Sequence, residues 1–269
     1  MKVPAIYQVE LTNDCQLNCS YCQRNYLIGD RPVGYLDVGQ LERWIKRGDF
    51  EGTVFIELQQ NGEPLMHPEF GRIVRMMKEA VRFVGMSTNG LLVEKWFKEI
   101  CMLDTLTLSL HNGVSMKVME KVIQKLVEGF KWVIRLQILT NANDEVREVF
   151  NRWKEKKLPN LICEEFQLKD NSKEVWTYVR GCIDPWYSVS VQWDGDVVPC
   201  CNAVGKLYVY GNLNESSLEE IWRNKRVEDM RKYQLTGEPL IKLCETCVFK
   251  STYRFHLDIL EKSLDLGKK

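Results

Sequence analysis

Residues 11–25, LTNDCQLNCSYCQRN, place Cys15, Cys19 and Cys22 within eight positions. Three thiols fit neither common use of clustered cysteine. A structural zinc ion takes four ligands, and disulfides take pairs. The spacing C-x3-C-x2-C is also improbable, since about 0.01 such matches arise by chance in a chain of this length and cysteine content. Two readings follow. Either a distant fourth ligand completes a zinc site, or three thiolates hold an iron–sulfur cluster and leave one iron for an exogenous ligand.

The loop follows AIYQVEL (5–11), an apolar stretch that reads as a strand. From there to about residue 168, short apolar strands alternate with amphipathic helices. Strands are predicted at 53–59, 82–88, 105–111, 132–140 and 163–169. Helices are predicted at 37–47, with Asp37 as N-cap, and at 70–80, 92–100, 115–130 and 144–156. Strands separated by single helices pair in parallel through right-handed crossovers. Six such units suit an incomplete barrel as well as a doubly wound sheet, and periodicity alone does not choose. In both, sites collect at the carboxyl ends of strands, where the cysteine loop lies.

After residue 170 the rhythm changes. DPWYSVSVQWDGDVVPC reads as a β-hairpin with Asp194-Gly195 at its turn. One helix is expected over 217–233 and a short last one near 251–262. Cys182, Cys200, Cys201, Cys244 and Cys247 fall in this part, and Cys244-x2-Cys247 has metal-ligand spacing. Four thiolates suit tetrahedral zinc or a fully ligated four-iron cluster.

Lys plus Arg and Asp plus Glu number 37 each, which gives no reason to expect a nucleic-acid binder. The start, MKVPAIYQVELTND, lacks the apolar core of a secretion signal, and no apolar run is long enough to span a bilayer. The ten cysteines are therefore expected in a reducing cytoplasm, where such clusters mean metal or catalysis.

The triplet, with Tyr21 before its third cysteine, resembles the signature of the radical SAM superfamily. The resemblance extends along the chain. NGEP (61–64) stands where the family has a Gly-Gly-Glu-Pro type motif, with Asn61 departing from the usual first glycine. STNG (87–90) ends the third predicted strand as in many members. GDVVPC, YGNLNESSLEEIW and CETC resemble the SPASM/twitch extension, in its shorter four-cysteine form. In architecture the chain is similar to twitch enzymes such as 2-deoxy-scyllo-inosamine dehydrogenase.

The resemblance implies an α/β fold, a partial (β/α)6 barrel over residues 1–170 and a twitch-type module over 171–269. It implies two [4Fe–4S] clusters and S-adenosyl-L-methionine. Cys15, Cys19 and Cys22 would hold the first cluster, whose open iron takes the amino and carboxylate groups of S-adenosylmethionine. Cys182, Cys200, Cys244 and Cys247 would hold the second, with Cys200 and Cys201 interchangeable. Tyr21, Asn61, Gly62, Glu63, Pro64, Thr88, Asn89, Ser109 and Gln137 would bind the cofactor. Glu63 or the Asn61 and Gly62 carbonyls would receive the methionine ammonium.

His111, just past Ser109, is the candidate substrate-side acid or base. The expected partners are a small-molecule or peptide substrate and a reductant such as flavodoxin or ferredoxin. With Cys15 so near the start, no peptide-binding domain is expected before it. The competing function is a zinc-binding, non-catalytic protein. His67 reads as a surface loop residue, Cys101 and Cys163 as buried apolar thiols. Arg180, Trp186 and Trp193 lie near the module junction.

Overall fold

Runs of β-branched and aliphatic residues between polar turns become strands, and the amphipathic stretches between them become helices. The structure is a computed structural model that describes residues 4–22, 24–27, 31–166, 182, 184–203, 205–236 and 244. The strands of its first part are β1 (Ala5–Val9), β2 (Phe55–Glu57), β3 (Phe83–Thr88), β4 (Thr105–Ser109), β5 (Val133–Leu139) and β6 (Leu161–Phe166). The helices are α1 (Arg24–Leu27), α2 (Val38–Arg47), α3 (Phe70–Ala80), α4 (Val93–Ile100), α5 (Met116–Gly129) and α6 (Asp144–Glu155). Asp37 caps α2 by accepting the Gln40 N–H, and Gly48 closes it in a left-handed conformation.

Strand order decides what periodicity could not. The six strands lie side by side in chain order, all parallel. A doubly wound sheet reverses its order among such units at a switch point, and these six strands do not. Right-handed crossovers taken always in one direction put the helices on one face and leave the other as an interior. The result is a parallel α/β sheet of the partial-barrel kind. Most buried apolar side chains form one core cluster, while Tyr7 and Phe55, with Phe83 packed on them, form a separate small one.

The later strands extend this sheet. β7 (Ser188–Val191) pairs in parallel with β1, and β8 (Asp196–Val198) and β9 (Gly211–Asn212) follow antiparallel. The predicted hairpin is present, with Gly195 left-handed at its turn (φ 90°). The predicted single helix over 217–233 is instead two, α7 (Leu218–Trp222) and α8 (Lys225–Thr236). Asn224 makes the break. Its side-chain oxygen accepts the Val227 N–H, and its amide nitrogen donates to the Tyr210 carbonyl. Cys101 and Cys163 are half-buried rather than fully enclosed. The expected helix near 251–262 lies outside the described residues, as does Arg180.

A buried ion pair sits where the two parts meet. Arg31 meets Glu10, just beyond β1, through both guanidinium arms, at 2.7 and 3.3 Å, with both side chains out of water. Glu10 also accepts the Asn61 amide at 2.7 Å and the Trp193 N–H at 3.2 Å. Removing one member of a buried pair leaves the other charge uncompensated. Arg31→Met is expected to lower unfolding free energy by about 3–5 kcal/mol in denaturant titrations followed by circular dichroism. A loss below about 1 kcal/mol would contradict this assignment of the pair.

Candidate functional site

The cysteine loop is braced before it reaches its thiols. The Thr12 hydroxyl donates to the Gly34 carbonyl at 2.7 Å, and the Asn13 amide donates to the Pro32 carbonyl at 2.9 Å. Asn13 also accepts the Gly34 N–H, and the Tyr35 hydroxyl donates to Asp14 at 2.6 Å. The loop then runs over the carboxyl ends of the strands. Cys15, Cys19 and Cys22 line a cavity of about 220 Å³ whose other walls come from the ends of β2, β3 and β4.

The Asn-Gly-Glu-Pro turn is pressed against this loop. Gly62 is left-handed, with φ of 67°. A Cβ there would sit 2.5 Å from the carbonyl oxygens of both Thr12 and Asp14. The Glu63 N–H donates to the Asp14 carbonyl at 2.7 Å. Only glycine allows that approach.

Glu63 is a strut between turns. Its Oε1 accepts the Thr88 hydroxyl at 2.6 Å and the Leu65 N–H at 3.2 Å, and its Oε2 accepts the Asn89 N–H at 2.9 Å. That leaves Oε2 one acceptor position. Burial pushes Glu63 up to about 7, against the pull of these three donors. Pro64 starts a buried 3-10 turn and does not line the cavity.

Asn89 links the third strand end to the first thiol. Its oxygen accepts the Gln16 amide at 3.1 Å, and its nitrogen donates to Cys15 Sγ at 3.7 Å. Burial raises the Cys15 thiol, and the Leu17 N–H on its sulfur, at 3.4 Å, opposes that.

Across the cavity the Tyr21 hydroxyl meets His111 Nδ1 at 2.7 Å, the two rings stacked with centroids 6.2 Å apart. Cys19 Sγ lies 4.0 Å from the same nitrogen. Burial holds His111 down to about 4, so the ring is neutral. Ser109 lines the cavity; Gln137 is its register partner on β5 but is not part of the wall.

His67 is not the surface histidine its loop position suggested. It is 2% exposed, with Nδ1 accepting the Glu69 N–H and Nε2 donating to the Leu36 carbonyl. Burial holds it below the usual histidine range.

Gln60 gave no signal in the sequence. It is 4% exposed, lines the cavity, and neither of its side-chain polar atoms has a partner among the described residues. The Asn61 oxygen is likewise unpartnered. A buried amide without partners is costly, so these atoms suit a polar ligand.

In the C-terminal part Cys182, Cys200, Cys201 and Cys244 are half-buried. Cys182 and Cys244 meet across one side chain, Gln234. Cys247 lies outside the described residues. Trp193 packs on Gly34, and Trp186 sits in a 3-10 turn before β7.

Cluster chemistry fits both sets of thiols. Among the described residues no three His, Cys, Asp or Glu side chains converge as ligands of one ion. Unpartnered amides beside the first thiols suit a polar ligand, and amide donors already point at sulfur in both sets.

Comparison with known proteins agrees with this chemistry. The model of the radical SAM superfamily matches residues 9–163, and that of an iron-sulfur cluster-binding domain, SPASM, matches residues 182–248. The probable GTP 3',8-cyclase of Methanococcus aeolicus is 24% identical over 159 residues, covering 51% of this chain and 50% of that protein. The chain thus spans about half the length of the curated relatives it matches. Among solved structures, BtrN in complex with AdoMet and 2-DOIA superposes with a TM-score of 0.62 at 19% identity, over 92% of this chain and 94% of that one. The structure of anSMEcpe with AdoMet and the Cp18Cys peptide gives 0.64 at 15% identity, over 91% and 88%. At these identities the structural likeness concerns the fold. Among the described residues no helix is long and apolar enough to cross a membrane.

The tightest constraint on the site is Gly62. Gly62→Ala adds a left-handed alanine and a methyl against two carbonyls, and is expected to cost at least about 2 kcal/mol. It should also reduce the iron retained by the cysteine loop. Unchanged melting with full iron content would contradict the close packing described here.

Proposed function

Because the chain belongs to the radical SAM superfamily, we propose that it is an oxidoreductase or modifying enzyme with two [4Fe–4S] clusters. In this reading Cys15, Cys19 and Cys22 hold the first, with one iron open to S-adenosylmethionine. Cys182, Cys200, Cys244 and Cys247 hold the second. The bound groups would supply one-electron cleavage of the sulfonium, hydrogen-atom abstraction from substrate, and an acceptor for a second electron. The observation that carries this reading is the shared cavity, where three thiols and the ends of three further strands surround one space.

The chain's own residues then have defined work. Asn89 donates to the Cys15 sulfur and braces it. The Asn61 and Gly62 carbonyls, with the free Oε2 position of Glu63, accept from the methionine ammonium. Glu63 also holds Thr88 and Asn89 in place, so it is a positioning residue first. Ser109 offers a hydroxyl toward the ribose, and Gln137 supports it from the neighbouring strand.

His111 acts as a base only as the tautomer whose Nδ1–H donates to Tyr21, which leaves Nε2 bare. There His111 would take a proton from a substrate radical, and the second cluster, when bound, would supply the acceptor for its electron. The substrate class is a small molecule or a peptide; the fold neighbours were crystallised with 2-DOIA and with the Cp18Cys peptide. The reductant is a flavodoxin or ferredoxin.

The test uses protein purified without oxygen, reduced, and mixed with S-adenosylmethionine. We expect about eight irons per chain and steady release of 5′-deoxyadenosine. Replacing Cys15, Cys19 and Cys22 together with Ala should bring that release to background. Cleavage retained by the triple variant, or zinc in place of iron in the parent, would overturn the reading.

A further inference from the structure

Gln234 occupies a position that helix capping and core packing do not account for. It sits at the end of α8, 3% exposed, between two of the cysteines assigned above to the second cluster. Its Oε1 accepts the Cys182 N–H at 3.2 Å. That bond fixes the amide, because a backbone N–H must meet an oxygen. Nε2 therefore faces the other way, where it donates to Cys244 Sγ at 3.7 Å and reaches Met230 Sδ at 3.9 Å.

Tyr210 adds an independent observation from a different element. Its side chain is buried, and its hydroxyl has no partner among the described residues. A buried hydroxyl without an acceptor is costly. Cys200 and Cys244 both lie within electrostatic reach of it. Tyr208 packs edge-on against the ring at 5.9 Å and holds it. Its hydroxyl is therefore a buried donor that still lacks an acceptor among the described residues.

We propose that Gln234 and Tyr210 donate hydrogen bonds to the sulfur atoms of the second cluster and so raise its reduction potential. The inference rests on the reading of Cys182, Cys200 and Cys244 as ligands. Its physical basis is charge. When the oxidised cluster takes one electron, its negative charge grows, and donors aimed at sulfur stabilise the reduced form more than the oxidised one. The electron comes from a substrate radical, which also gives one proton to a base and becomes a closed-shell product. A higher potential makes that transfer more favourable. The two donors thus favour acceptance of an electron over its delivery.

The experiment uses full-length protein carrying Cys15→Ala, Cys19→Ala and Cys22→Ala, which leaves the second cluster alone. Gln234→Leu and Tyr210→Phe are introduced into it singly and together. Iron and sulfide are counted, and the midpoint potential is read by electron paramagnetic resonance during redox titration. The expected result is about four irons per chain throughout, a more negative potential in each single variant, and a larger shift in the double. A merely structural role would lower thermal stability and leave the potential where it was. Potentials that are unchanged or more positive in variants retaining the cluster overturn the proposal. If Gln234→Leu sheds its iron, Tyr210→Phe decides alone, since it removes one oxygen that has no partner among the described residues. Absence of iron from the parent variant would overturn the ligand assignment instead, and is distinguishable from the outcomes above by the metal count.

Discussion

Four groups converge on the carboxylate of Glu10: both arms of Arg31, the Asn61 amide and the Trp193 N–H. An ionised carboxylate removed from water needs this full set of donors, and relaxing any of them exposes an unpaired charge at low dielectric. The four residues involved lie in different parts of the chain. Glu10 follows β1, Arg31 follows the cysteine loop, Asn61 opens the turn after β2, and Trp193 sits in the C-terminal hairpin. One buried charge thus fixes the entry and exit of the thiol loop, the turn that faces it, and the region that carries the later cysteines.

From that anchor the site assembles by contact. Gly62 lets the second turn lie on the backbone of the first, and Glu63 carries the same turn onward to Thr88 and Asn89. Asn89 returns to Cys15. The strand ends are therefore cross-linked in a closed circuit through polar groups, while the apolar core lies below them. Rigid elements at the base and short hydrogen bonds at the rim are what a positioned cluster and its ligand need.

Much of this was legible in the sequence. Asp37 marked the start of α2, Phe70–Ala80 read as a helix to the residue, and Asp194-Gly195 announced the hairpin. The cysteine spacing and the Asn-Gly-Glu-Pro turn pointed to the right strand ends. What stayed hidden depends on distance along the chain. Glu10 finds its partners 21, 51 and 183 residues away, and a glutamate at a strand end carries no local mark of that. His67 looked like a loop histidine because its partner, the Leu36 carbonyl, lies 31 residues earlier. The break between α7 and α8 needs the Tyr210 carbonyl to hold Asn224, so helical periodicity ran straight through it. Barrel and doubly wound sheet share one local pattern, and only strand order separates them. Gln60 and Gln234 are ordinary glutamines until their burial is known.

The central claim is that three thiolates leave one iron open and that S-adenosylmethionine binds there, beside a second cluster that is fully ligated. Electron paramagnetic resonance of the dithionite-reduced protein tests it directly, with spectra taken before and after adding S-adenosylmethionine. The account predicts two overlapping reduced-cluster signals, of which one changes on addition and the other does not. In the Cys15→Ala, Cys19→Ala, Cys22→Ala variant only the unresponsive signal should remain. A spectrum that ignores S-adenosylmethionine, or a responsive signal that survives loss of those three cysteines, would contradict it.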